Sequence, residues 1–214
     1  MKTSDPMVFL VDDDPGIRKA MHAVMDSVGL PLESFESAED FLERRDAARP
    51  GCLLLDLRMP GMNGLDLLHM LRTEGDTIPV IFISGHGDVP SAVQAMRSGA
   101  DDFLEKPFSD TLLVDRVREA FREDERRRKR RTREVEVRRR LGSLTRREAQ
   151  VMELVIAGHS SKDIAAELGI SLKTVEHHRI HLLDKMRVDT AVDLTREVVA
   201  AGLAGTTKGN QPST

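Results

Sequence analysis

Residues 53–64 read Leu-Leu-Leu-Asp-Leu-Arg-Met-Pro-Gly-Met-Asn-Gly, an apolar run that ends in one carboxylate, Asp56, shortly before a Pro-Gly turn. An unbroken apolar run predicts a strand that is buried on both faces, and the Pro-Gly pair predicts a turn. Open parallel α/β sheets bind their ligands at the carboxyl ends of the strands. The stretch therefore predicts a parallel sheet with a candidate functional carboxylate at its edge.

Two further apolar runs end in residues that suit the same edge. Residues 7–11 run into Asp12 and Asp13, and a later run leads to Lys106. Three strand ends would then form one acidic pocket beside a lysine, although Asp56 could also simply cap the next helix. Because clustered carboxylates repel one another, the pocket predicts a hard cation such as Mg²⁺, which prefers oxygen ligands.

Apolar strand-like runs alternate with amphipathic helical runs up to about residue 122. This pattern is typical of a parallel sheet with helices on both faces. The first helix is predicted to begin where Asp14 can cap it and Pro15 suits the first helical position. We predict strands near 7–12, 31–35, 52–56, 78–83 and 101–104, and later helices near 38–45, 64–72, 88–98 and from 109 onward.

Charge divides the chain into an acidic and a basic part. Residues 1–110 hold 10 Lys and Arg against 20 Asp and Glu, whereas residues 111–214 hold 22 against 16. This asymmetry indicates that a polyanion meets the second part. The single cysteine excludes an internal disulfide, and the short apolar run near the start suits neither a signal peptide nor a membrane span, so we expect a cytoplasmic protein.

Residues 122–140 contain 11 basic and 5 acidic side chains, with neither Gly nor Pro. The composition predicts a charged, solvated helical linker that continues the preceding helix. Two interpretations stay open, a spacer without a ligand and a contact with a polyanion.

Short helices with explicit starts follow the charged segment. Thr145-Arg-Arg-Glu148 is a capping-box pattern. A second helix is predicted near 162–168, capped by Ser161 and closed by Gly169, a third after Ser171, and a fourth near 190–201. A helix, a tight turn and a longer helix give the helix-turn-helix spacing. The tail 205–214 is small and polar, and we predict that it is disordered.

The second helix of such a motif enters the major groove of DNA, so its polar positions are candidate contacts. Four side chains suit phosphate, and Glu176 and His177 could reach base edges. His177, His178 and His181 could in principle hold a metal, although their spacing lacks a Cys or carboxylate partner and favours a role at DNA or the surface. The phosphate candidates are Lys173, Thr174, Arg179 and Lys185.

The acidic pocket is equipped for phosphoryl chemistry. A carboxylate beside Mg²⁺ and an ammonium group can attack a phosphoryl group, because both cations neutralise the charge that develops on the phosphoryl oxygens. Asp56 would become an acyl phosphate. Ser84, at the next strand end, could donate a hydrogen bond to the new group, or it could be an ordinary cap.

The ordered motifs resemble a known family. Asp12-Asp13, Asp56-Leu-Arg-Met-Pro-Gly, Ser84-Gly-His-Gly-Asp-Val-Pro, and Phe103 ahead of Glu-Lys-Pro-Phe resemble the receiver domain of two-component response regulators. With Leu-Thr-Arg-Arg-Glu and Thr-Val-Glu-His-His-Arg, residues 7–203 resemble the FixJ subgroup of LuxR-type regulators. The resemblance implies a flavodoxin-like receiver at 1–121, the charged linker at 122–140 and a small all-α helix-turn-helix domain at 141–204.

The same resemblance implies roles and partners. A sensor histidine kinase would phosphorylate Asp56, and the regulator would dimerise, bind double-stranded promoter DNA and act on RNA polymerase. Asp13, Asp56 and the carbonyl of Arg58 would hold Mg²⁺ directly, with Asp12 helping through water. Lys106 and Ser84 would contact the phosphate, and the Phe103 rotamer would transmit the signal, although Phe103 is otherwise read as core. Glu176, His177 and Ile180 would face the groove.

Two rival functions fit the sequence less well. Asp12-Asp13-Asp14 contains the Asp-x-Asp of haloacid-dehalogenase-type phosphohydrolases, whose first Asp is the nucleophile, but Pro15-Gly16 departs from that family's pattern. A receiver that only docks a protein partner is disfavoured by the nucleic-acid signature of the second domain. We therefore expect a non-enzymatic transcriptional regulator, with the phosphohydrolase as the alternative.

Overall fold

The computed structural model describes residues 5–85 and 89–202, and the chain divides into two compact units between Arg127 and Arg128. The first unit has hydrophobic cores on both faces of a sheet, and the second has a core formed by helices. In the described part of the chain, no helix has the length and apolar character that a membrane span requires. The predicted disordered tail 205–214 lies outside the described residues.

The first unit contains a five-stranded sheet in which all paired strands are parallel, as predicted. The predicted strand limits differ from the observed ones by at most two residues. The strands are β1 (Met7–Val11), β2 (Leu32–Phe35), β3 (Gly51–Asp56), β4 (Val80–Ser84) and β5 (Asp102–Glu105). Their order is β2-β1-β3-β4-β5, so β3, which ends in Asp56, is the central strand.

Helices cover both faces of this sheet because alternate strand residues point to opposite sides. Phe9 and Leu53 face the core that includes α2 (Ala38–Arg44) and α3 (Gly64–Thr73). Val8 and Leu54 face the core that includes α1 (Pro15–Ser27) and α5 (Asp110–Gly142). The predicted start of α1 is confirmed, since Asp14 Oδ1 accepts a hydrogen bond from the Gly16 backbone N–H at 2.7 Å. The helices are α1 (Pro15–Ser27), α2 (Ala38–Arg44), α3 (Gly64–Thr73), α4 (Val89–Arg97) and α5 (Asp110–Gly142).

Helix α5 joins the two units and contains the whole charged segment, which confirms the prediction of a continuing helix. The segment is not solvated along its length, however. Asp124 is 2% exposed and accepts a hydrogen bond from the Gly51 backbone N–H, and Arg127 pairs with Asp101. Val137, 1% exposed, belongs to the core of the second unit. The sequence predicts a solvated linker at Asp124, Arg127 and Val137 because charged residues surround each of them in the chain. Their contacts with the two cores leave no signal in the local sequence.

The second unit consists, after the end of α5, of short helices around one core. The predicted capping box is present, since Glu148 N donates to Thr145 Oγ1 and Thr145 N donates to Glu148 Oε2. One predicted cap is wrong, because Ser160, and not Ser161, caps the next helix. The helices are α6 (Arg146–Ile156), α7 (Ser161–Leu168), α8 (Leu172–Met186) and α9 (Ala191–Ala200). Helices α7 and α8 form the predicted helix-turn-helix.

Candidate functional site

The sheet brings the predicted pocket residues to one edge. Asp56 is the last residue of β3, Ser84 is the last residue of β4, and Asp12 directly follows β1. Lys106 follows β5. Because all these strands are parallel, their carboxyl ends lie together, and the order of the strands places β3 between β1 and β4.

Lys106 lies between the buried carboxylate of Asp12 and the partly buried carboxylate of Asp56. Its Nζ is 3.3 Å from Asp12 Oδ2 and 3.4 Å from Asp56 Oδ1. Burial raises the pKa of Asp12, and the hydrogen bond from the Asp14 backbone and the charge of Lys106 only partly oppose it. The carboxylate of Asp12 is therefore formed at a free-energy cost, which a nearby cation reduces.

Of the predicted Mg²⁺ ligands, the carboxylates of Asp12 and Asp56 both lie within 3.4 Å of Lys106 Nζ. Asp12 Oδ1 accepts from the Asp14 N–H, Asp56 Oδ2 accepts from the Arg58 N–H, and Asp13 is exposed. Within residues 5–85 and 89–202, no three His, Cys, Asp or Glu side chains are placed so that they could hold an ion. The pocket offers carboxylate oxygens, including those of the desolvated Asp12, and Mg²⁺ prefers oxygen ligands. The groups present therefore suit Mg²⁺. The ligand set itself stays a prediction.

The loop after Asp56 is fixed by contacts that the sequence did not indicate. A Cβ on Gly64 would lie 2.3 Å from the backbone oxygen of Asp56 and 2.8 Å from Phe82 Cε1, so only glycine fits there. From α2, Glu39 Oε1 accepts a hydrogen bond from the Met62 N–H at 3.1 Å. Hydrogen bonds from its own backbone N–H and from Met62 lower the pKa of Glu39. Glu39 therefore stabilises the loop that contains the Arg58 carbonyl.

Ser84 and Phe103 are the remaining candidate residues of the receiver, and they lie at the end of β4 and within β5. Ser84 is 3% exposed, and its backbone oxygen accepts a hydrogen bond from the Lys106 N–H at 2.8 Å. Phe103 is partly buried and packs against Phe82, with ring centroids 6.5 Å apart. This contact is that of a core residue at the edge of the sheet, and the proposed switching role of Phe103 stays a prediction.

Helix α8 presents a polar face opposite its buried one. Val175, Leu182 and Met186 are buried in the core of the second unit, which leaves the other side of the helix in solvent. Ile180 is 65% exposed, a high value for an isoleucine. The predicted contacts that are exposed are Lys173, Glu176, His177 and Ile180, and those that are partly buried are Thr174, His178, Arg179 and Lys185.

Three of the predicted DNA contacts already have partners within the second unit. Arg179 donates to Ser161 Oγ at 3.2 Å, and Thr174 Oγ1 lies 2.8 Å from Ser171 Oγ. Lys185 Nζ lies 2.6 Å from Glu148 Oε2. The ammonium of Lys185 thus holds α8 against α6, and its predicted contact with phosphate would compete with this ion pair.

The Glu148–Lys185 ion pair lies at the start of α6. The side chain of Glu148 is only 4% exposed, whereas that of Lys185 is 34% exposed. Burial alone would raise the pKa of Glu148, but the hydrogen bonds from Lys185 and Thr145 outweigh it and lower the pKa to about 2. Glu148 is therefore a buried, ionised group that connects the capping box to α8.

Family models match both units of the chain. The response regulator receiver domain matches residues 8–118, and the luxR family of bacterial regulatory proteins matches residues 142–198. Receiver domains generally bind Mg²⁺ at the phosphorylation site and imply a histidine kinase partner, and a luxR-type domain implies DNA binding. Neither match supports the phosphohydrolase alternative.

Similar proteins cover nearly the whole chain. The response regulator protein TodT of Pseudomonas putida is 41% identical over 190 residues, which are 89% of this chain and 84% of TodT. The transcriptional regulatory protein FixJ of Bradyrhizobium diazoefficiens is 38% identical over 201 residues, which are 94% of this chain and 98% of FixJ.

Solved structures agree with these matches. The response regulator StyR has a TM-score of 0.78 and 41% identity, covering 91% of this chain and 98% of StyR. Full-length FixJ from B. japonicum has a TM-score of 0.56 and 37% identity, covering 94% and 99%. By their names, TodT and StyR are response regulators and FixJ is a transcriptional regulatory protein. The chain therefore belongs to the family of two-component response regulators that join a receiver domain to a LuxR-type DNA-binding domain.

Proposed function

We propose that a sensor histidine kinase phosphorylates Asp56 of this regulator and thereby promotes dimerisation and the binding of α8 to promoter DNA. The observation that carries the proposal is the position of Lys106 Nζ, 3.4 Å from Asp56 Oδ1 and 3.3 Å from Asp12 Oδ2. The ammonium group of Lys106 lies between two carboxylates at the ends of parallel strands. It can therefore neutralise the charge of a phosphoryl group that is attached to one of these carboxylates.

The phosphoryl transfer assigns one role to each residue. An Asp56 carboxylate oxygen attacks phosphorus, the bond from phosphorus to the donor histidine nitrogen breaks, and the imidazole leaves with a proton. Lys106 neutralises charge on the transferred group, and Ser84 donates a hydrogen bond to it. Mg²⁺, held by Asp13, Asp56 and the Arg58 carbonyl with help from Asp12, would supply further charge neutralisation at the phosphoryl oxygens.

We expect replacement of Asp56 by asparagine to abolish labelling of the protein by radioactive acetyl phosphate in the presence of Mg²⁺. The amide cannot form the acyl phosphate, whereas its size and shape preserve the pocket. Acid and base lability of the label on the wild type would identify an acyl phosphate. Equal labelling of the wild type and the Asp56→Asn variant would contradict the assignment, and label on Asp12 would favour a hydrolase.

Dimerisation would couple this chemistry to DNA binding. Helix α4 carries apolar side chains in solvent, among them Val89 at 77% and Met96 at 47% exposure, which support an interface at α4 and β5. The new phosphoryl group would draw Ser84 inward and let Phe103 fill the space, shifting a two-state receiver. By resemblance, the dimer would act on RNA polymerase as an activator.

We expect beryllofluoride with Mg²⁺, a mimic of the phosphoryl group, to convert the protein from monomer to dimer at micromolar concentration. Sedimentation equilibrium measures the change directly, and the Asp56→Asn variant is the control because it should not respond. An unchanged molecular mass across the micromolar range would contradict the switch.

The charged part of α5 is proposed to contribute to DNA affinity. Residues 141–214 hold 9 Lys and Arg against 9 Asp and Glu, so the helix-turn-helix alone offers little net charge to a polyanion. Residues 122–140 hold 11 basic against 5 acidic side chains. Arg127 is excluded from this role, because its side chain is only 25% exposed and pairs with Asp101, directly before β5 within the first unit.

We expect glutamine at positions 126 and 128–131, with Arg127 kept, to flatten the dependence of log K on log salt by about 0.9 for each phosphate that the variant no longer neutralises. Specific and nonspecific affinity should fall together. The His177→Ala variant should change sequence preference and leave the slope nearly intact. Fluorescence anisotropy with operator and random duplexes measures both, and an unchanged slope in the glutamine variant would make the segment a spacer only.

A further inference from the structure

We propose that His177 and His181 form a binding site for a divalent transition-metal ion such as Zn²⁺ on the outer face of α8. The two residues are one helical turn apart, and both are exposed. Their ring centroids lie 4.1 Å apart, with 54° between the ring planes. The two exposed rings are thus in van der Waals contact, and rotation about their side-chain torsions can direct one nitrogen of each toward a shared ion.

The chemistry of the pair favours a borderline metal. Imidazole nitrogen is a preferred ligand of Zn²⁺, Cu²⁺ and Ni²⁺, whereas Mg²⁺ prefers oxygen. Two histidines at positions i and i+4 of a helix are the spacing with which helical zinc sites bind their ion. Once one ring has bound, the helix holds the second at high effective concentration.

The third histidine of this helix does not share the site. The ring of His178 lies 6.3 Å from that of His177, and its side chain is partly buried. In the described part of the chain, no three His, Cys, Asp or Glu side chains converge on a metal position. The site therefore has two protein ligands, and water completes the coordination sphere, which makes the ion exchangeable.

A metal ion bound to His177 and His181 would affect DNA binding. This inference rests on the proposed function of α8. His177 is a proposed base contact, whereas His181 is not among the residues proposed to contact base edges or phosphates. A hydrated ion on both rings would occupy the His177 nitrogen and keep its ring away from base edges. Bound Zn²⁺ should therefore weaken operator binding more than binding to random DNA.

Calorimetric titration of the full-length protein with Zn²⁺, in a non-coordinating buffer with saturating Mg²⁺, tests the site without DNA. We expect one equivalent to bind, and His177→Ala and His181→Ala each to weaken the affinity at least about tenfold because either change removes the chelate. His178→Ala is the matched control and should change the affinity less than about twofold, because its ring is not a ligand. Unchanged affinity in His181→Ala, or an equal loss in His178→Ala, would overturn the site.

The effect on DNA is measured separately, by anisotropy with operator and random duplexes. Zn²⁺ should reduce the operator affinity of the wild type about fivefold or more, whereas the operator affinity of the His181→Ala variant should change less than about twofold between its own metal-free and Zn²⁺-loaded measurements. An equal response of both proteins to Zn²⁺ would overturn the competition. Failure of the metal-free wild type to bind any duplex would instead contradict the proposed function, and leave the calorimetric result to decide the site.

Discussion

Replacing Glu148 by alanine is expected to destabilise the helical unit by about 3 kcal/mol. The change removes the acceptor for the Thr145 N–H at 2.7 Å and leaves Lys185, 34% exposed, without its partner at 2.6 Å. Breaking a buried ion pair costs about 3–5 kcal/mol when the remaining charge is fully buried, and the partial exposure of Lys185 places the effect near the lower end. Urea denaturation followed by circular dichroism measures the loss.

Two further measurements distinguish this ion pair from a general sensitivity of α6. Glu153→Ala, at an exposed position of the same helix, should change stability by less than about 0.5 kcal/mol. The pKa of Glu148 is lowered to about 2 from the ordinary value of 4.5, so its contribution is present above pH 4.5 and is lost as the pH falls toward 2. The difference between wild type and Glu148→Ala should shrink over this window, and a constant difference would contradict the mechanism.

Replacing Gly64 by alanine is expected to destabilise the receiver by about 3 kcal/mol and to abolish phosphorylation of Asp56. The added methyl group would lie 2.3 Å from the Asp56 backbone oxygen and 2.8 Å from Phe82 Cε1. A strand backbone and a buried aromatic ring cannot yield as the end of a flexible side chain would, so α3 and the end of β3 must separate. Thermal denaturation and acetyl phosphate labelling measure the two effects.

Gly142→Ala is the control for this substitution, because a Cβ there meets nothing within 4 Å and the residue ends a helix. Its stability should stay the same or rise by about a few tenths of a kcal/mol, and labelling should be normal. Normal labelling of a folded Gly64→Ala variant would show that the close approach at Gly64 does not position the carboxylate.

The pocket could be predicted from the sequence because each of its residues ends a strand. Asp12, Asp56 and Lys106 are far apart in the chain, but parallel pairing brings such ends to one edge whatever the loops do. The start of a helix could also be predicted where a single capping residue determines it, as Asp14 does for α1. The error at α7 arose because two adjacent serines can both cap, and Asp163, which completes a capping box with Ser160, decides between them.

Interactions between distant side chains could not be predicted in this way. Glu39 looks like an ordinary acidic residue in the first turn of α2, and its bond to Met62 depends on how that helix packs against the sheet. Lys185 looks like a phosphate ligand on a DNA-binding helix, because its partner Glu148 is 37 residues away in the chain. A charged residue carries no local signal that separates an internal ion pair from a ligand contact.

The last turns of α5 determine where the helical unit of this protein could be joined to the receiver of a relative in a chimeric protein. Val137 is buried in the second unit, Arg133 pairs with Glu197 at 2.9 Å, and Arg140 donates to the Met186 oxygen at 2.9 Å. A chimera joined at residue 141, where the luxR match begins at 142, would replace all three and leave a foreign helix against the core. A junction directly after Arg127, where the compact units divide, transfers the helical unit with its own stabilising segment.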